Sequence, residues 1–166
     1  MKDNKSCKIV LRKKLELEKQ RELELLEIEE LMKTMPKHKQ YGIGETLIKS
    51  RGNRIELCYQ TEGGFRESIG EKERLSIKDG KLLSDDSAKT VSVDEINWQK
   101  VLAIIKYYGL DTYAETFSNS DALPFDVRNE KFTISMFEAN FSIEWIHKSP
   151  KGMDVLIEYL ENYFNK

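Results

Sequence analysis

The chain has 166 residues, of which 34% are charged and 39% hydrophobic, and its formal net charge is −2. A chain of this length can form one domain plus an appendage and bury a sizeable core, and its near balance of charge gives no strong case for nucleic acid as a partner. No run approaches the ~18 apolar residues of a membrane span, and the basic opening MKDNKSCKIVLRKK lacks the apolar stretch of a secretory signal, so a cytoplasmic location and no membrane contact are expected.

The segment from Ile9 to Met35 is built almost wholly of strong helix formers and meets no Gly or Pro until Pro36, which predicts one long helix. In its second half Leu25, Ile28, Met32 and Met35 follow helical spacing and form an apolar stripe; Leu11 and Leu15 continue that side, with Glu18 and Glu22 interrupting it. The helix is either an arm lying on its own domain or a surface that pairs with a partner or a second copy. Its start is basic, at Lys2, Lys5, Lys8, Arg12, Lys13 and Lys14, which opposes the helix macrodipole. Contact with an acidic surface would offset that cost; a solvated, frayed start is the plainer alternative.

MPKHKQYGIG then reads as a linker, dividing the chain into a helical arm with its linker, 1–40, and an α+β domain, 41–166. A short strand, Glu45 to Lys49, is expected to turn at Arg51-Gly52-Asn53 into a second strand with Ile55, Leu57 and Tyr59 on one face. Gly63 and Gly64 permit a bend or bulge that re-aims Phe65 and Arg66, primarily a structural kink and secondarily a binding surface. Leu75 and Ile77 resume the alternation, Asp79-Gly80 makes a tight reversal, Leu82 and Leu83 start a return strand, and SDDSAKT is expected to be a polar loop. Ser92 with Glu95 has the spacing of a capping box, opening a helix with Trp98, Val101, Leu102, Ile105 and Tyr108 inward and Gly109 at its end.

From Asp111 to Asp126 the pattern is irregular, and Tyr113 and Phe117 there are candidates for a binding surface. Two strands follow, one with Phe132, Ile134 and Met136 on a face, the other with Phe141, Ile143 and Trp145, joined through Glu138-Ala139-Asn140. Ser149-Pro150 reads as the start of a last helix whose stripe is Met153, Leu156, Ile157, Leu160 and Phe164. The order predicts an α+β fold: a two-layer sandwich of an antiparallel sheet covered by two helices, with a long N-terminal helix.

Groups suited to catalysis are sparse. The two histidines, His38 and His147, lie far apart, and none of the usual nucleophile, phosphate-loop or zinc motifs occurs. Asp85-Asp86 reads as a solvated turn more readily than as a divalent-ion site. Cys7 and Cys58 share no CxxC or Cys/His cluster and are read as free thiols. No enzyme activity, cofactor or metal is therefore expected.

From Ile55 onward the order of strand, Gly63-Gly64-Phe65, strand, helix, two strands and a helix introduced by Pro150 resembles the emfourin-like family of small bacterial metalloprotease inhibitors. The resemblance implies a one-domain α+β fold that binds another protein without catalysis, with Gly63, Gly64 and Phe65 mainly defining the fold. The expected function is a non-catalytic protein-binding protein of bacterial or phage origin, an inhibitor of the protease-inhibitor, immunity or anti-defence kind that occludes its partner. Gly63, Gly64, Phe65, Arg66, Tyr113 and Phe117 are its candidate contacts. The alternative is a scaffold or adaptor that forms a homo-oligomer through the N-terminal helix.

Overall fold

A computed structural model describes residues 3–35, 55–62, 72–112, 129–136, 139–146 and 148–166, with side chains from residue 8. The chain forms two compact units, Met1–Met35 and Pro36–Lys166. The first is the predicted long helix, α1 (Asp3–Thr34). Ile28 is fully buried, as its place in the stripe requires, but Leu25 is exposed and Glu24 occupies the buried position instead. Glu24, four residues before Ile28, lies about 40° from it around the axis on one side, and Leu25, three residues before it, about 60° from it on the other. Gln20 Nε2 donates to the Glu24 carboxylate at 3.4 Å. Leu11 and Leu15 are exposed.

The second unit is an α+β domain. Its strands β1 (Glu56–Glu62), β2 (Lys72–Lys78), β3 (Lys81–Ser84), β4 (Ser87–Ser92), β5 (Asn129–Met136) and β6 (Ala139–Ile146) make one antiparallel sheet in the order β4-β3-β2-β1-β5-β6. Helices α2 (Trp98–Tyr108) and α3 (Met153–Glu161) supply the second layer. Ile55, Leu57 and Tyr59, then Phe132, Ile134 and Met136, then Phe141, Ile143 and Trp145 are all buried, so the period-2 pattern marks the covered face correctly. Trp98, Val101, Leu102, Ile105, Met153, Leu156 and Leu160 meet it from the helices, each fully buried. Trp98 also donates its indole N–H to the Val93 carbonyl at 2.8 Å, satisfying the one polar atom that its burial would strand.

The Asp79-Gly80 reversal has positive φ at both residues, 52° and 71°, the conformation of a type I′ hairpin. Four local expectations are corrected. SDDSAKT is not a loop: Asp85-Asp86 alone turns the chain, and Ser87–Ser92 is an edge strand with one buried residue, Val91. A strand with a single anchor carries almost no alternation, which is why its composition reads as loop. Ser92 caps only a 3-10 turn, Val93–Glu95, while Asn97 caps α2 by accepting from the Lys100 N–H at 3.2 Å. Ser149-Pro150 precedes α3 without capping it; Gly152, at φ 91°, is the N-cap residue. Ala139 and Asn140 are strand residues, with Ala139 directly opposite Met136. The Gly-rich bend at Gly63-Gly64, the hairpin at 45–54 and the irregular segment after Thr112 lie outside the described residues. The one irregularity between β1 and β2 falls at Tyr59/Gln60, where Arg74 is the unmatched residue.

Candidate partner-binding edge

A sheet of six strands has two outer edges, and here they differ in kind. On β4 the register jumps from Leu83↔Thr90 to Ser84↔Ser87, leaving Ala88 and Lys89 unmatched. A bulge carrying a lysine is a standard device against indiscriminate pairing at an edge. On β6 the register with β5 runs unbroken from Asn129↔Ile146 to Met136↔Ala139, and no described strand pairs with its other side.

The hydrogen-bond parity of the ladder shows which β6 groups face outward. Asp85 N–H donates to the Arg74 carbonyl at 3.1 Å, so Arg74, Ser76 and Lys78 bond toward β3 and Leu75 bonds toward β1. Leu75 is opposite Tyr59, which leaves Cys58 bonding toward β5, where it faces Thr133. Thr133 thus bonds inward, Phe132, Ile134 and Met136 bond toward β6, and their partners Ile143, Phe141 and Ala139 are used up. The N–H and C=O groups of Asn140, Ser142 and Glu144 are left pointing away from the sheet. Their side chains lie on the face opposite the core, where Ser142 hydrogen-bonds Thr133 (Oγ to Oγ, 3.1 Å) and Glu144 pairs with Lys131 Nζ at 3.1 Å.

The edge is held stiff by a carboxylate on the covered face. Glu130 receives the Tyr59 hydroxyl on Oε1 at 2.6 Å and the Trp145 indole N–H on Oε2 at 2.7 Å, joining β1, β5 and β6 through three side chains. The Tyr59 and Trp145 rings stack at 6.0 Å and 15°. Burial, then the hydrogen bond to Glu130 and its charge, push the Tyr59 hydroxyl well above its ordinary range, so it stays a donor at any working pH. Glu130 was missed in the sequence, although a signal was present: it is the one acid among the alternating inward positions 130, 132, 134 and 136.

Two acids at the β3–β4 turn are tied up in ion pairs. Asp85 pairs with Lys72 Nζ at 2.9 Å and Arg74 Nε at 3.5 Å, and Asp86 with Arg74 at 3.1 Å. Among the described residues no group of three or more His, Cys, Asp or Glu side chains is placed to hold a metal ion. A cleft of about 340 Å³ beside β4 is lined by Lys89, Thr90, Val91, Glu95, Tyr163 and Lys166. The Tyr163 hydroxyl in it is committed, accepting from the Asn97 N–H at 3.0 Å and lying 2.9 Å from the Tyr159 hydroxyl.

Burial pushes the Glu161 carboxyl up; Arg74 pulls it back, and Asp86, Asp85 and Glu158 push it further. A carboxyl whose folded value is raised favours the native state below its ordinary titration range and loses that contribution as pH rises through the folded value. Glu161→Gln is therefore expected to stabilise at neutral pH by about 0.5 kcal/mol or less, since solvent screens a half-exposed group, and to do nothing near pH ~4. Urea midpoints at the two pH values check it.

All six sequence candidates, Gly63, Gly64, Phe65, Arg66, Tyr113 and Phe117, lie outside the described residues. No helix among the described residues is long and apolar enough to cross a membrane. No family model matches the chain, and neither curated proteins nor solved structures give a match.

Proposed function

We propose that this chain is a non-catalytic protein-binding protein that acts as an inhibitor, occluding a partner by taking one of the partner's extended segments onto the outer edge of β6. The observation that supports it is the contrast between edges: β4 is bulged at Ala88 and Lys89, the Lys89 ammonium donating to the Lys166 carbonyl, while β6 offers eight residues in regular register with three consecutive outward positions. Main-chain hydrogen bonds supply affinity in strand addition, and alternate side chains such as Asn140, Ser142 and Glu144 supply selectivity. Inhibition of a metalloprotease, as the emfourin-like resemblance implies, is the most specific version; immunity or anti-defence partners of bacterial or phage origin are the broader one.

Ser142→Pro is the variant that tests the edge. Its N–H points outward, so proline removes no bond to β5 but withdraws a donor and blocks an incoming strand. The wild-type protein is expected to retain a stoichiometric partner from a bacterial lysate and the Ser142→Pro protein to lose it, with equal thermal melts. Equal recovery on both baits would contradict the edge. If a stoichiometric excess leaves thermolysin-type proteases fully active, the protease version is discarded.

A further inference from the structure

Among the described residues, every large hydrophobic side chain that stands exposed belongs to α1, in the span from Ile9 to Leu26. Leu11, Leu15 and Leu26, each more than half exposed, fall within a 60° arc when residues advance about 100° around the axis. The same helix is polarised along its length. Residues 8–15 carry Lys8, Arg12, Lys13 and Lys14 with no acid, and residues 22–29 carry Glu22, Glu24, Glu27 and Glu29 with no base. The two blocks have equal and opposite charge and are separated by a mixed stretch, 16–21.

We propose that α1 pairs with α1 of a second copy of this chain, antiparallel, about a two-fold axis near residues 18 and 19. In that register Leu11 of one copy lies against Leu26 of the other, Leu15 against Glu22, and Lys19 against Glu18. Each basic block then faces an acidic block, which a parallel arrangement would place base on base and acid on acid. The arrangement also places each unfavourably basic helix start beside the negative end of the partner's macrodipole, offsetting the cost that the sequence leaves uncompensated. Two copies of an isologous surface close on themselves, so the product is a dimer and not a filament.

Sedimentation equilibrium of the full chain at tens of micromolar tests this. In low salt the wild-type protein is expected to be a dimer, and molar salt is expected to weaken it, because the charge blocks attract. Leu11→Gln with Leu26→Gln is expected to weaken association about tenfold or more while leaving helicity by circular dichroism unchanged, since both positions are solvent-facing in the single chain. K13E with K14E should weaken the dimer in low salt and lose most of its effect in molar salt. A monomer at every concentration, a dimer that tightens with salt, or a dimer indifferent to the leucine changes would each overturn the pairing.

Discussion

Glu130→Ala is expected to lower stability by about 3 kcal/mol, because it strands two buried donors at once. The Trp145 indole N–H and the Tyr59 hydroxyl both end on this carboxylate, and their side chains are only 2% and 9% exposed. Each donor left without an acceptor costs about 1–3 kcal/mol, and water can reach the Tyr59 end more easily than the Trp145 end. Glu130→Gln should fall between, since its amide oxygen can serve one donor while its NH₂ confronts the other. Because Trp145 belongs to β6 and Tyr59 to β1, the loss is expected to loosen the outer strand as well, raising the exchange rate of β6 amides above that of β2. Urea melts of both variants check the order; a Glu130→Ala protein with the wild-type midpoint would show that the three side chains are not coupled.

Gly152→Ala is expected to cost a similar amount, about 3 kcal/mol or more, for two independent reasons. The residue sits at φ 91°, in the left-handed half of backbone space that a Cβ resists. A Cβ built there would also lie 2.1 Å from Cγ and 2.6 Å from Cβ of Tyr108, the rigid base of that side chain and not its mobile end. The α3 start and the α2 end would have to separate to admit it. Gly109→Ala is the milder comparison: φ is 64° and the nearest atom, the side-chain Thr112 Oγ1 at 3.3 Å, need give by only a few tenths of an ångström, so the backbone cost of about 1 kcal/mol dominates. Thermal midpoints that fall equally for the two alanines would show that Tyr108 yields.

What the sequence announces and what it withholds follow from the range of the interactions. Period-2 alternation on β1, β5 and β6 and the stripe of α2 are local signals of burial, and each marked residues that are buried, except Tyr108 at the end of the α2 stripe, which is half-buried. Capping is local too, yet two caps were misplaced, because Ser92 and Asn97 both satisfy the chemistry of a helix start and the apolar run from Trp98 decides between them. The start of α3 escaped for a different reason: Gly152 is required by the approach of Tyr108, a contact across the fold that no spacing in the chain encodes. The candidate edge lies in between. Alternation places Asn140, Ser142 and Glu144 on the polar face, but that β6 is outermost depends on strand order, a property of the whole sheet.

Amide hydrogen exchange, with and without a partner captured by the wild-type chain, is the decisive experiment on the proposed addition of a partner's strand along β6. The amides of Asn140, Ser142 and Glu144, which have no donor role toward β5, are expected to slow sharply in the complex, with the β4 amides unchanged. Unchanged exchange at those three positions, with protection arising elsewhere on the chain, would contradict the account.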